Sequence, residues 1–160
     1  MTRKLQKTVT LEVFTWEELD QEVKNLMEEA KMAGMKAYAP YSNFMVGAAL
    51  LLDNGKMLSG NNQENASFPV GICAERVVLG YSHARYPDAK PLKLAIVAKK
   101  REESNYATVT PCGLCRQSIS EYESRYKQPI EVYMLTPTGE ILKAAGIDEL
   151  LPFKFEDFNS

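Results

Sequence analysis

Three cysteines and one glutamate carry the chemistry that this sequence suggests. Cys112 and Cys115 stand three residues apart in "TPCGLCRQ", and Cys73 stands two residues before Glu75 in "GICAER". Residues three apart lie on the same face of a helix, so the sulfurs of Cys112 and Cys115 can reach one metal ion. A redox pair and three inert, buried cysteines are the alternative interpretations of these residues.

The cysteines stand where helices are predicted to begin. Thr110 is a suitable N-cap and Pro111 suits the first helical position, which places Cys112 and Cys115 in the first turn or so. Cys73 also stands at a predicted helix start. Helix N-termini carry free backbone N–H groups and a partial positive charge, which favour thiolate over thiol. Two helix N-termini that face each other would therefore collect three thiolates.

The sequence supplies three cysteine ligands and no evident fourth ligand. Its only histidine, His83, lies on the same predicted helix as Cys73, about 15 Å away at roughly 1.5 Å per residue. His83 is therefore predicted to be a surface residue. Three protein ligands and an open position are typical of a catalytic zinc, whose bound water becomes a nucleophile. Glu75 beside that water could serve first as a base and then as an acid.

Three thiolates around Zn²⁺ leave a net negative site, which opposes ionisation of a bound water. Hydrogen bonds from Arg76 to the sulfurs would offset this charge, and Gln117 and Arg116 are weaker candidates for the same role. Together "CAER" and "PCGLC" match the H-x-E…P-C-x-x-C pattern of zinc deaminases, in which a third cysteine can replace the histidine. The two motifs predict a metal site.

Length, composition and charge exclude several classes of protein. The 160 residues are predicted to form a single domain over 1–160, with residues 1–13 as a tail or edge strand. The net charge of −2 gives no electrostatic reason to bind nucleic acid. No apolar run is long enough for a signal peptide or a membrane span. The odd cysteine count argues against a disulfide framework, and we expect a cytoplasmic protein.

Hydrophobic periodicity predicts three helices and five strands in an α/β fold. A capping box at 15–18 predicts a first helix that runs to about Tyr38. Two further helices are predicted from about Cys73 to Tyr86 and from about Pro111 to Lys127. The strands are predicted at 45–52, 56–62, 92–99, 130–135 and 140–146, with a hairpin turn at 53–55.

The chain resembles the small, homotetrameric, three-cysteine cytidine deaminases over about residues 25–156. The resemblance rests on four motifs in the family's order: "AYAPYSNFMVGAALL" (37–51), "GNNQENASFPVGICAER" (60–76), "PCGLCRQ" (111–117) and "ELLPFKF" (149–155). It implies a three-layer α/β/α fold with a five-stranded mixed sheet. It also implies a homotetramer in which Cys73, Cys112 and Cys115 hold Zn²⁺ and Glu75 shuttles protons.

The resemblance also implies which residues contact a nucleoside. Asn62 and Glu64 would hold a ribose hydroxyl, Phe44 would pack against the pyrimidine, and the backbone of Ala74 would hydrogen-bond it. Three more positions would act between subunits: Ala66 and Phe68 would face a neighbour's pocket, and Phe155 would be donated across the interface. Gln63 and Phe68 depart from the family's usual residues, and the segment 99–109 looks long, which leaves the fine substrate preference open.

The leading functional hypothesis is hydrolytic deamination of cytidine and deoxycytidine. A deaminase of the same fold could instead act on another cytosine compound, such as blasticidin S or a modified nucleoside. A polynucleotide deaminase and a non-catalytic zinc-binding module are the other two hypotheses. The acidic charge balance opposes the first of these, and Glu75 beside an open metal position would have no purpose in the second.

Overall fold

The computed structural model describes residues 1–156 and contains one six-stranded sheet. The strands are β1 (Glu12–Phe14), β2 (Phe44–Leu52), β3 (Met57–Asn61), β4 (Pro91–Lys100), β5 (Glu131–Leu135) and β6 (Ile141–Ala144). Their order across the sheet is β1-β6-β5-β4-β2-β3, and only β4 and β5 run parallel to each other.

The prediction of five strands was wrong by one, because β1 adds an edge strand. β1 pairs antiparallel with β6, so that Val13 lies opposite Leu142. A three-residue strand is too short to give an alternation pattern, and its partner is more than a hundred residues away. For these reasons the sequence alone predicts residues 1–13 only as either a tail or an edge strand.

The three helices are α1 (Gln21–Gly34), α2 (Ala74–Arg85) and α3 (Gly113–Tyr126). The backbone N–H of Thr15 does bond Glu18 Oε2 at 2.8 Å, as in a capping box, but this contact closes a turn ahead of the helix. The N-cap of α1 is instead Asp20, which accepts the Val23 N–H at 2.8 Å. The helix also ends earlier than Tyr38, whose N–H bonds the carbonyl of Asn62.

The helices cover both faces of the sheet and form three α/β/α layers. On one face, Ala49 and Leu51 of β2 pack in the same hydrophobic cluster as the apolar side of α1. On the other face, Leu50 and Leu94 pack with apolar residues of α2 and α3. The central strands are therefore buried on both sides, which explains their near-continuous apolar sequences.

The backbone of α1 rests directly on β2 at Gly47. A Cβ atom added to Gly47 would lie 1.9 Å from the Ala30 carbonyl oxygen and 2.5 Å from the Gly34 nitrogen. Only a residue without a side chain fits between the two elements at this distance. Gly47 on β2 and Gly34 on α1 thus set how closely the first helix layer approaches the sheet.

The topology brings the N-termini of α2 and α3 to the same end of the sheet. β3 and β4 both run antiparallel to β2, so they point in the same direction. α2 follows β3 and α3 follows β4 in the chain. Within residues 1–156, none of the helices combines the length and the apolarity that a bilayer span requires.

Candidate active site

The three cysteines meet where α2 and α3 begin. Cys73 is the N-cap of α2, Cys112 is the N-cap of α3, and Cys115 is buried in the first turns of α3. The prediction that Thr110 caps α3 was wrong. Cys112 keeps an extended backbone with ψ of 170° and accepts the Arg116 N–H at 2.9 Å. The Thr110 hydroxyl instead accepts a hydrogen bond from the Arg116 guanidinium at 3.2 Å.

The spacing of the sulfurs fits a tetrahedral metal ion. Cys73 Sγ lies 3.8 Å from Cys112 Sγ, and Cys112 Sγ lies 3.6 Å from Cys115 Sγ. All three sulfurs lie within 4.8 Å of one another. Thiolates bound to Zn²⁺ at about 2.3 Å in tetrahedral geometry are separated by about 3.8 Å. The three cysteines can therefore hold a metal ion.

The sulfurs compete for protons because they are packed so closely. A hydrogen bond from the Cys115 thiol, helped by Cys112 and Arg76, lowers the pKa of Cys73 to about 6. The same contact with Cys73, together with burial, raises the pKa of Cys115. A bound cation would relieve this competition by stabilising all three thiolates.

Glu75 lies beside the sulfurs in the first turn of α2 and is only 3% exposed. Burial raises the pKa of its carboxyl group, and the negative charge on Cys73 acts in the same direction. Its own backbone N–H and the Cys115 thiol donate to the carboxylate and oppose the rise. A carboxyl group whose pKa is shifted toward neutrality is suited to both accept and return a proton.

Arg76 supplies a positive charge next to the cysteines. Its Nη2 donates to the carbonyl of Gly71 at 3.4 Å, and its charge and hydrogen bonding lower the pKa of Cys73. Its buried Nε has no hydrogen-bond partner among residues 1–156. An unpaired buried donor is costly, so this nitrogen fits a site that gains negative charge when thiolates bind a metal.

Gln117 and Arg116 hydrogen-bond the C-terminal segment rather than the sulfurs. Gln117 Nε2 donates to the Phe155 carbonyl at 3.2 Å, and Arg116 Nη1 donates to the Leu150 carbonyl at 2.5 Å. His83, predicted to be a surface residue, is half-buried and its Nδ1 lies 2.8 Å from the Tyr126 hydroxyl. It does not belong to the three-cysteine cluster that the described residues form.

A cavity of about 440 Å³ opens over the cysteines. Cys73, Cys112 and Glu75 contribute to its lining together with several residues that the family resemblance assigns to nucleoside contacts: Phe44, Asn62, Glu64 and Phe68. Ser42, Ile72, Val109 and Thr110 also line it, and the sequence had not singled them out as substrate contacts. Ser42 lies in the "PYSNF" part of the motif at 37–51, and this position was the one sequence signal that could have identified it as a cavity residue.

Asn62 and Glu64 line the same cavity, but their local contacts differ. The Asn62 side chain is bonded to β2: Oδ1 accepts the Val46 N–H at 2.8 Å and Nδ2 donates to the Phe44 carbonyl at 2.9 Å. Glu64 Oε2 accepts the Tyr41 N–H at 2.9 Å, and its Oε1 accepts the Ser42 hydroxyl. The Ser42 hydrogen bond is the largest cause that lowers the pKa of Glu64.

The remaining predicted site residues divide between the interior and the surface. Ala74 is fully buried in the first turn of α2. Ala66 is exposed, and the exposed fractions of the Phe68 and Phe155 side chains are 75% and 72%. Phe68 packs edge-on against Tyr41 with ring centroids 5.7 Å apart. Neither Ala66 nor Phe155 is among the described residues that line the cavity over the cysteines.

Comparison with curated proteins finds relatives over most of the chain. A cytidine deaminase of Halalkalibacterium halodurans is 39% identical over 138 residues, which cover 84% of this chain and 96% of that protein. A cytidine deaminase of Mycobacterium tuberculosis is 36% identical over 129 residues, covering 78% of this chain and 90% of the relative.

Solved structures agree with the fold and the sequence relationship. A cytidine deaminase from Burkholderia pseudomallei superposes with a TM-score of 0.70 at 36% identity, covering 86% of this chain and all of that one. The family model described as the cytidine and deoxycytidylate deaminase zinc-binding region matches residues 20–128, which include the three cysteines and Glu75. The family model, the relatives and the sulfur cluster all agree. The chain therefore belongs to the cytidine and deoxycytidylate deaminase family.

Proposed function

We propose that this chain catalyses the hydrolytic deamination of cytidine and deoxycytidine to uridine and deoxyuridine, with release of ammonia. The observation that carries the proposal is the buried Glu75 beside three clustered sulfurs, with Cys73, Cys112 and Glu75 lining one cavity. The names of the relatives support the cytosine nucleoside as substrate. Such a reaction would serve pyrimidine salvage in the cytoplasm.

Zn²⁺ is the metal that the donor set favours. Thiolates are soft ligands that suit zinc, and the three sulfurs have the separations that tetrahedral Zn–S bonds require. Held by Cys73, Cys112 and Cys115, zinc would supply a water activated to attack C4 of the cytosine ring. Arg76 would reduce the negative charge that three thiolates place in the site.

Glu75 would act as the proton carrier of the reaction. Its carboxylate would accept one proton from the attacking water and deliver it to ring N3, and would then carry the second proton, from the hydroxyl formed at C4, to the departing amine. Burial supports both steps, because it raises the pKa of Glu75 and so brings the protonated and ionised forms closer in free energy. The same burial excludes bulk water, which would otherwise exchange with the transferred proton.

Side chains that line the cavity, and one backbone group beside it, would bind the nucleoside. Phe44 would pack against the pyrimidine, and the backbone N–H of Ala74 would be free to bind it, since the first N–H groups of a helix have no intrahelical acceptor. Glu64 would accept a hydrogen bond from a sugar hydroxyl, and the Asn62 amide would hydrogen-bond the same hydroxyl. A site built to bind a hydroxyl disfavours a ligand that lacks one, so free cytosine should react poorly.

A homotetramer would complete the pockets. Phe68 and Phe155 are large, exposed apolar side chains, and a recess of about 370 Å³ between Tyr41 and Phe68 adjoins the main cavity. Side chains from a neighbouring subunit, with Ala66 at the contact, would bury these surfaces. A fully active monomer in light scattering coupled to size-exclusion chromatography would contradict this assembly.

The decisive experiment measures uridine formation from cytidine by the purified protein before and after treatment with a chelator. We expect turnover that the chelator abolishes and that added Zn²⁺ restores, with one zinc per chain by elemental analysis. The same assay with deoxycytidine, cytosine, cytidine monophosphate and blasticidin S defines the substrate class. Faster turnover of blasticidin S than of cytidine would overturn the assignment, and single-stranded RNA should give no product.

A further inference from the structure

The loop that joins α1 to β2 directs three donors at Glu64. The Ser42 hydroxyl donates to Glu64 Oε1, and the backbone N–H groups of Tyr41 and Ser42 donate to Oε2 at 2.9 and 3.3 Å. An ionised carboxylate offers about four acceptor positions. Three are taken by this loop, so about one remains for a ligand in the cavity that Ser42 and Glu64 both line.

The direction of the Ser42 hydroxyl proton is fixed by a second contact. Ser42 Oγ accepts the Phe44 N–H at 3.0 Å. Because a hydroxyl has a single proton, that proton is committed to Glu64 while the oxygen accepts from Phe44. The loop itself is held in place by Asn43, which adopts a left-handed backbone with φ of 56° and donates its N–H to the Ala39 carbonyl at 3.1 Å.

We propose that Ser42 is a positioning residue that sets sugar specificity through Glu64. The inference rests on the proposed function, because it requires Glu64 to face a sugar hydroxyl. Ser42 fixes the carboxylate so that its remaining acceptor position points to the ligand. A fixed, ionised Glu64 accepts a hydrogen bond from a sugar hydroxyl and repels a phosphate at the same place. The Ser42–Glu64 contact therefore favours nucleosides over nucleotides.

The charge state of Glu64 supports this role. The Ser42 hydrogen bond is the main cause that holds the pKa of Glu64 below its ordinary value, and the backbone N–H groups of the loop act in the same direction. At neutral pH, Glu64 is therefore ionised and can only accept hydrogen bonds, not donate them. The shift does not come from a neighbouring lysine or arginine, because its causes are the hydrogen bonds from the loop and the opposing effect of burial.

The test compares two substrates that differ only in the sugar hydroxyls, cytidine and 2′,3′-dideoxycytidine. For Ser42→Ala we expect kcat/KM on cytidine to fall on the order of tenfold, mainly through KM, because a hydrogen bond to a charged group is lost. On dideoxycytidine the same change should alter kcat/KM by less than about twofold. Ser42→Thr keeps the hydroxyl and should restore the preference for cytidine.

Two outcomes would overturn the inference while leaving the proposed function standing. One is an equal fall on both substrates for Ser42→Ala, which would mean that Ser42 only supports the loop or Phe44. The other is a Ser42→Ala, Glu64→Ala double variant whose losses on cytidine simply add, because residues that act as one unit are non-additive. Wild-type protein that does not convert cytidine would instead refute the proposed function itself.

Thermal unfolding of each variant accompanies the kinetics. If Ser42→Ala melts well below the wild type, Ser42→Cys replaces it, since a thiol keeps the volume and is a much weaker donor. The same loss of sugar preference is expected from Ser42→Cys. Retention of the full preference in that variant would overturn the role of the hydroxyl.

Discussion

Replacing Gly47 by alanine should separate α1 from the sheet. The added Cβ would lie 1.9 Å from the Ala30 carbonyl oxygen, whereas ordinary van der Waals contact begins at 3.4 Å. The helix must therefore retreat by about 1.5 Å. All the clashing atoms are backbone atoms, so no flexible side chain can move aside to accommodate the methyl group.

The cost follows from the contacts that this retreat loosens. Leu26, Met27 and Ala30 of α1 are fully buried in one cluster with β2 and β4. A radial gap of about 1 Å already removes up to half of the dispersion energy of such contacts. We expect a destabilisation at the upper end of the usual overpacking range, about 3 kcal/mol or more. For a chain of this size the melting temperature should fall by roughly 6–12 °C.

Gly80 provides the matched control. It is exposed on α2, and a Cβ at that position would meet no atom within 4 Å. Gly80→Ala should therefore raise stability by about 0.5–1 kcal/mol through helix propensity. Both variants are compared by thermal unfolding of the same preparation. A Gly47→Ala protein that melts within about 2 °C of the wild type would refute the argument, because α1 would then yield without cost.

Three further predictions concern the site and its support. Glu75→Gln should retain zinc but lose activity by a factor on the order of 10² or more, because an amide cannot accept the proton; near-normal turnover would identify another base. Cys115→Ala should lower both zinc content and melting temperature, and full activity in metal-free protein would contradict this. Burial raises the pKa of Glu123, opposed by hydrogen bonds from the Ile130 and Ile147 N–H groups, so the folded state binds a proton more tightly than the unfolded state. The wild type should therefore lose stability relative to Glu123→Gln as the pH rises above about 4.5, and a difference in melting temperature that is constant between about pH 4 and 7 would contradict this.

The parts of the fold that the sequence predicted well depend on local signals. The turn at 53–55 joins β2 and β3 as expected, and α2 begins next to Cys73. An apolar run that ends in Asp-Asn-Gly suffices to predict the hairpin, and Gly55 adopts the left-handed conformation that such a turn requires. The pairing of CxxC with a third cysteine and a glutamate likewise depends on residue types and spacing alone.

The errors arose where contacts made in the folded chain decide between local alternatives. The segment at Thr15 satisfies a capping pattern, yet Asp20 caps α1 because the buried face of the helix starts at Val23. Thr110 is a suitable N-cap by residue type, but its hydroxyl instead accepts a hydrogen bond from the Arg116 guanidinium. The role of Ser42 depends on Glu64, which lies 22 residues away and approaches it only after folding. None of these contacts leaves a periodic signal in the sequence.

The short strand β1 has a consequence for how this protein tolerates concentration and storage. The two longest strands, β2 and β4, lie inside the sheet, and the edges are the three-residue β1 and the five-residue β3. At the β1 edge, Lys143 forms ion pairs with Glu12 and Glu131 at 3.5 and 2.8 Å. A short, charged edge disfavours pairing with the sheet of another molecule.

Removing residues 1–19, which precede the part that the family model matches, would remove this protection. The match begins at residue 20, so β1 lies outside it. Without β1, the backbone groups of residues 141–143 that it pairs would be left open along one side of β6. Such a shortened protein would keep Glu75 and the three cysteines and become more prone to aggregate, a failure that an assay on dilute protein would not reveal.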